Sequence, residues 1–321
     1  MQALELDAGR LSLTERPRPA AEGEALLRVR LAGVCDTDLQ LQAGYMGFAG
    51  VPGHEFVAEV EEGPAELVGA RVVGEINAAC GTCPSCLAGR GRHCPTRTVL
   101  GILGRDGAHA GWTRLPARNL HRVPAGVSDE QAVFAEPLAA ACEILEQRRI
   151  APGERVIVLG DGKLGLLVAQ VLALTGCELT AVGRHEAKLG ILARRGIATL
   201  RVPRDADSPL EPGAADVVVD CTGNPAGFAE ARRLVRPGGT LVLKTTTAAP
   251  PDFDLNSLVI DEITLLGSRC GPFDVALRLL ERGLVDVAPL LAERRPLSQG
   301  VEAYALAARK GVLKVLLDPE H

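Results

Sequence analysis

The sequence predicts a two-domain α/β chain. A β-rich, mostly antiparallel domain over residues 1–136 and 270–321 flanks a doubly wound parallel-sheet domain over residues 137–269. Three observations predict it. Short β-type runs punctuated by Gly and Pro fill the first third. Strand and helix patterns alternate through the middle, and a glycine-rich turn opens that alternation.

A chain of 321 residues is long enough to bury two cores. With 47% hydrophobic and 23% charged residues its composition is that of an ordinary globular protein. A net charge of −5 and the lack of any Lys/Arg run argue against a nucleic-acid partner. Apolar stretches such as Arg155–Leu159 and Leu164–Leu174 stop far short of a membrane span, so no membrane partner is expected. Met1–Arg10 holds no apolar signal core, and a cytoplasmic address follows.

The runs Ala25–Leu31, Glu55–Glu61, Arg71–Ile76 and Trp112–Leu115 read as strands joined by irregular loops. Between Ser128 and Arg149, Val133, Ala140, Ile144 and Leu145 recur without any Gly, which predicts helix, with Pro137 starting a new one. Strand Arg155–Leu159, helix Leu164–Leu174, strand Glu178–Val182 and helix Ala187–Arg195 follow. Strand Ala215–Asp220, helix Phe228–Val235 and strand Thr240–Lys244 continue the alternation of a parallel sheet covered on both faces. From Cys270 the tail returns to the first domain through helices at Val275–Glu281 and Val301–Lys310 and a last strand, Val312–Leu317.

Nine cysteines are many for a reducing compartment, where disulfides are disfavoured and clustered thiols point to metal. Cys80, Cys83, Cys86 and Cys94 form C-x2-C-x2-C-x7-C. Four thiolates at that spacing close a tetrahedron around one Zn²⁺ and leave no open position, so this site is structural. An iron–sulfur cluster is the rival reading, and Pro95 after Cys94 suits it, but no second cysteine cluster accompanies it. Cys35, Cys142, Cys177, Cys221 and Cys270 are scattered, and most of them read as small core residues.

The run Val156–Leu159 leads into Gly160-Asp161-Gly162-Lys163-Leu164-Gly165. G-x-G-x-x-G alone is weak; between a predicted strand and a predicted helix it is the Rossmann dinucleotide signature. The glycines let backbone amides approach a pyrophosphate at a helix N-terminus. An NAD enzyme carries Asp or Glu at the end of the second strand for the ribose 2′-hydroxyl. Here that strand runs into Gly183, then Arg184, His185 and, after Glu186, Lys188. Cations stand where the acid is expected, which favours NADP(H) over NAD(H), with the solvated start of a helix as the bland alternative.

Three further segments offer metal ligands: Cys35 in Gly33-Val34-Cys35-Asp36-Thr37-Asp38, His54 in Gly53-His54-Glu55, and Glu136 in Ala135-Glu136-Pro137-Leu138. Singly, each reads equally as packing, a turn residue or a helix start. In order, with the four-cysteine lobe and the glycine loop, they resemble the zinc-containing medium-chain dehydrogenase/reductase (alcohol dehydrogenase-like) family. The match spans nearly the whole chain, and Glu-Pro-Leu is closest to the sorbitol, threonine and glucose dehydrogenase branch.

The resemblance implies a GroES-like catalytic domain beside the Rossmann domain, with a catalytic Zn²⁺ held by Cys35, His54 and Glu136. Glu55 binds it directly or through water at some stage. Such a metal acts as a Lewis acid on an alcohol or carbonyl oxygen. By the same resemblance Thr37 accepts the substrate proton, Asp38 orients the His54 imidazole, and Thr222, Arg269 and Lys314 contact the cofactor. Two positions depart from the family: Gln40 stands where a His carries the proton outward, and Asp36 stands where Gly, His or Arg is common. The expected reaction is hydride transfer between an alcohol or polyol, or its carbonyl, and NADP(H), in a homodimer or homotetramer. The alternatives are an NAD-dependent polyol or sugar dehydrogenase, and a non-catalytic NADPH-binding protein on the same fold. A quinone-type reductase of this fold would lack both zinc sites. His109, Tyr45, Met46, Phe48 and Trp112 read as packing, surface or pocket-shaping residues.

Overall fold

The computed structural model describes residues 1–203, 206, 208–246 and 254–320, which divide into two compact units. One comprises Met1–Glu136, Phe273–Gly283 and Val287–His321; the other comprises Pro137–Pro272 and Leu284–Asp286.

In the first unit the central strand is Ala25–Gly33, apolar at Ala25, Leu26, Leu27, Val29 and Leu31, all buried. Its sheet runs in the order Leu291–Pro296, Lys314–Asp318, Ala25–Gly33, Glu55–Glu62, Arg71–Gly74, Leu120–Arg122, and Trp112–Leu115 also pairs with Ala25–Gly33. Pairing is antiparallel except between Leu291–Pro296 and Lys314–Asp318. A separate hairpin, Gln2–Asp7 with Arg10–Glu15, lays Leu4, Leu6 and Leu11 onto Val34, Leu41, Tyr304, Val315 and Leu317. Fully burying such a side chain stabilises by about 1.5–3 kcal/mol each.

The second unit is a six-stranded parallel sheet in the order Ala198–Arg201, Glu178–Gly183, Arg155–Leu159, Ala215–Asp220, Val235–Leu243, Thr264–Gly267. That is the doubly wound order in which the chain reverses beside its first strand, the place where such sheets take dinucleotides. The interior strands are continuous apolar runs because helices such as Lys163–Ala173 and Pro225–Leu234 cover them.

The helical run expected over Ser128–Arg149 is two helices. Ser128 and Gln131 form a reciprocal cap on Asp129–Ala132, and a second helix, Ala135–Gln147, carries Pro137 in its first turn. Among the described residues no helix is long and apolar enough to cross a membrane.

Candidate active site

Cys35 follows the central strand and caps the helix Asp36–Gln42, whose Asp38 carboxylate turns back to accept the Cys35 amide at 2.8 Å. The other Asp38 oxygen accepts the Gly53 amide at 3.3 Å and lies 3.3 Å from Nδ1 of His54. One fully buried carboxylate thus ties together the two segments that carry Cys35 and His54. Burial would raise the Asp38 carboxyl, but His54 prevails and lowers it to about 2. For His54, burial is likewise outweighed by Asp38 and Cys35, which hold the imidazole well above its ordinary value. Nδ1 of His54 is buried against Asp38 Oδ1, which is placed to hold the ring and leaves its other nitrogen for a metal ion.

Cys35, His54 and Glu55 offer donor atoms that all lie within 4.8 Å of one another. Thr37 Oγ1 lies 3.8 Å from Cys35 Sγ. Glu136, in the first turn of Ala135–Gln147, is not part of that set, although it feels His54 and Glu55 electrostatically. Burial, the largest cause, pushes its carboxyl up to about 7. Glu55 is already paired: its carboxylate contacts the Lys314 ammonium, and both residues are 1% exposed. Lys314 also reaches the Val34 carbonyl at 3.4 Å and stands 5.9 Å from the centre of the Phe134 ring. Lys314 thus stands in a buried ion pair close to Cys35.

His109 proves to be part of the same scaffold. Its Nε2 donates to the Gly33 carbonyl at 3.3 Å, and Nδ1, 2.8 Å from Tyr304, accepts that hydroxyl; burial keeps the ring neutral. A Cβ on Gly53, whose φ is +98°, would come within 2.4 Å of the His109 ring, so only glycine lets the two loop segments meet there.

The four-cysteine lobe closes as its spacing predicts. Cys83 Sγ lies 3.5 Å from Cys86 and 3.8 Å from Cys94, and Cys80 lies 3.8 Å from Cys86. A tetrahedron of thiolates about 2.3 Å from zinc has edges of about 3.8 Å, so the donor set fits that ion. Backbone amides of Thr82 and Cys83 directed at Cys80 lower its thiol to about 5.

In the second unit the glycine loop has the cradle a pyrophosphate needs. A Cβ on Gly165 would sit 2.0 Å from the Gly160 carbonyl, and one on Gly160 (φ +110°) would sit 2.8 Å from the Cys221 carbonyl. Gly162 caps the helix that begins at Lys163 and Leu164; Lys163 is buried. Thr222 donates its hydroxyl to Asp220 at 2.7 Å, and Arg269 is exposed. Arg184 and His185 are exposed and Lys188 half-buried. A carboxylate does lie beside the end of the second strand. The Asp161 carboxylate, from the loop itself, accepts the amides of Arg184 at 2.7 Å and His185 at 2.6 Å.

Three features of these sites come from the fold: the contacts of Asp161, the hydrogen bonds of His109 and the pairing of Lys314. Only the last left a signal, a lone Lys inside the apolar run Val312-Leu313-Lys314-Val315-Leu316, which demands a buried partner.

The fold and these sites define a zinc-dependent dehydrogenase. Residues 21–125 match the alcohol dehydrogenase GroES-like domain and residues 164–282 the zinc-binding dehydrogenase domain. The chain is 30% identical to a sorbitol dehydrogenase of Halalkalibacterium halodurans, over 97% of this chain and 96% of that one. It superposes with a TM-score of 0.89 on a zinc-binding dehydrogenase fold from Sinorhizobium meliloti 1021 bound to NADP, at 28% identity and 99% coverage of both chains. An alcohol dehydrogenase of Escherichia coli CFT073 complexed with NADH gives the same TM-score at 25% identity, again over 99% of both chains. The chain belongs to the zinc-containing medium-chain dehydrogenase/reductase family, and it is an oxidoreductase that uses zinc and a nicotinamide cofactor.

Proposed function

We propose that this enzyme interconverts a secondary alcohol of a polyol or sugar with its ketone, passing hydride to and from a nicotinamide dinucleotide. The observation that carries the proposal is the convergence of Cys35, His54 and Glu55 donors within 4.8 Å, tied by Asp38. Cys35, His54 and Glu136 would hold the catalytic zinc. Glu55 is the weaker candidate because Lys314 already engages its carboxylate. A zinc ion there supplies a Lewis acid for the substrate oxygen. The rest falls to the chain's own residues. Thr37 takes the alcohol proton, Asp38 fixes the His54 ring, and His109 with Tyr304 holds the two ligand-bearing segments in register. Gln40 does not titrate, so the proton's onward path does not run through its side chain. The second zinc, at Cys80, Cys83, Cys86 and Cys94, is structural.

Gly160, Gly162 and Gly165 would receive the pyrophosphate, with Lys163, Leu164, Gly183, Thr222 and Arg269 beside the dinucleotide. Arg184, His185 and Lys188 support NADP(H), the preference read from the sequence; Asp161 counts against it, and the choice turns on that residue. We place the enzyme in the cytoplasm as a homodimer or homotetramer. Supporting the oligomer, Val259 and Ile260 are 77% and 78% exposed on a short helix that precedes the edge strand Thr264–Gly267.

The test is a turnover panel of the zinc-loaded enzyme with polyols, sugars, threonine and simple alcohols, each against NAD⁺ and NADP⁺. Turnover of a polyol or sugar is the expected result. Silence across the panel while coenzyme still binds would favour the non-catalytic alternative.

A further inference from the structure

We infer that Asp161 is the specificity-determining residue for coenzyme, and that it selects NAD(H) against NADP(H). The inference rests on the dinucleotide reading above and deepens it.

In this fold the acid that recognises the ribose 2′-hydroxyl stands at the end of the second strand, about 20 residues past the glycine loop. Gly183 ends that strand here. A Cβ built on Gly183 would lie 2.6 Å from Asp161 Cβ, 2.8 Å from its Cγ and 2.7 Å from Oδ2. The space a strand-end side chain would take is therefore filled by a carboxylate brought from the loop, and Gly183 is what lets it in. The chemical group is the one an NAD enzyme uses, reached by a different route.

What the carboxylate occupies matters as much. Oδ2 takes the amides of Arg184 and His185, at the head of the helix Glu186–Ala193. The His185 ring Nδ1 sits 3.0 Å from both oxygens. A 2′-phosphate docking at this turn would look for those same amide donors. It would find them satisfied and meet a fixed negative charge. Against this stand the Arg184 side chain, which is solvent-exposed, and Lys188. An exposed guanidinium gains little from an anion in water, whereas Asp161 is 8% exposed and held by three donors. Those donors outweigh its burial and keep the carboxyl below the ordinary aspartate range, so it is ionised at neutral pH. Among the described residues Oδ1 has only the His185 ring as partner, which leaves it capacity to accept from a ribose hydroxyl.

The experiment is a fluorescence titration of NADH and NADPH into the zinc-loaded enzyme and into two variants. Asp161→Ser opens the amide pair; Asp161→Asn keeps the shape and removes the charge. The parent should bind NADH at least about tenfold more tightly, a difference of about 1.4 kcal/mol. Asp161→Ser should shift the NADPH-to-NADH affinity ratio toward NADPH by about tenfold or more, and Asp161→Asn should move it the same way by less. A parent that binds NADPH as tightly as NADH would overturn the inference. So would an unmoved ratio in folded Asp161→Asn, checked by circular dichroism. If the parent bound neither coenzyme, the dinucleotide reading itself would fall, a result distinct from either of these.

Discussion

Lys314 and Glu55 are two opposite charges sealed from water within one domain, with Gly33 packed against both: a Cβ there would sit 2.9 Å from Glu55 Oε2 and 3.2 Å from Lys314 Cδ. Each ion offsets its desolvation mainly through the other. Burial alone would lower the Lys314 ammonium, and Glu55 turns the shift upward. Lys314→Met leaves a bare buried carboxylate and should cost about 3–5 kcal/mol of stability, read from urea unfolding of the first domain's signal. Adding Glu55→Gln should recover most of that loss. A Lys314→Met variant with the parent's midpoint would show that the pair contributes nothing. This kind of residue-scale fact is half legible in sequence. That Lys314 needs a partner follows from its apolar neighbours, but Glu55 lies 259 residues away. His109 with Tyr304, 195 residues apart, gives no local sign at all. Cys35, His54 and Glu136 stood out as candidates because their motifs are local and their order along the chain is specific. Their mutual geometry did not.

At the scale of elements, what the sequence displays depends on burial. The strand Arg155–Leu159 is covered on both faces and shows as an unbroken apolar run. Three strands that escaped it, Ala198–Arg201, Thr264–Gly267 and Leu291–Pro296, are all sheet edges with exposed or half-buried side chains, as edges that avoid aggregation tend to be. The hairpin Gln2–Asp7 with Arg10–Glu15 escaped as well, because its short alternating runs flank a turn in which Ala8 and Gly9 take positive φ. The four-cysteine lobe is the opposite case: all its ligands fall in one short segment, so its chemistry was readable from spacing. It contains only short helices, Pro84–Leu87 and Gly91–His93, and cannot hold its shape by packing. Cys83→Ser should therefore lower the zinc content from two ions per chain to about one, measured by elemental analysis, and should raise protease cleavage between Cys80 and Cys94. A variant that keeps both ions would rule out the lobe as a zinc site.

For the molecule as a whole, two cores serve two tasks. The first domain gathers a thiol, an imidazole and carboxylates at the strand ends around Gly33 and Glu55. The second presents a glycine turn at the point where its sheet reverses order. Both domains were legible from the change of pattern along the chain, whereas the contact on which the coenzyme choice turns was not. The sequence shows cations after Gly183, and only the fold reveals that Asp161 has moved into the space beside them. Under the proposed function, oxidation of a polyol or sugar alcohol depends on metal held by Cys35, His54 and Glu136. The most direct measurement is coenzyme reduction by the substrate found in the turnover panel, before chelation of the enzyme, after it, and after zinc is returned. Activity should disappear on chelation and come back with zinc, and Cys35→Ser should never regain it. Undiminished turnover in the chelated enzyme would contradict that dependence.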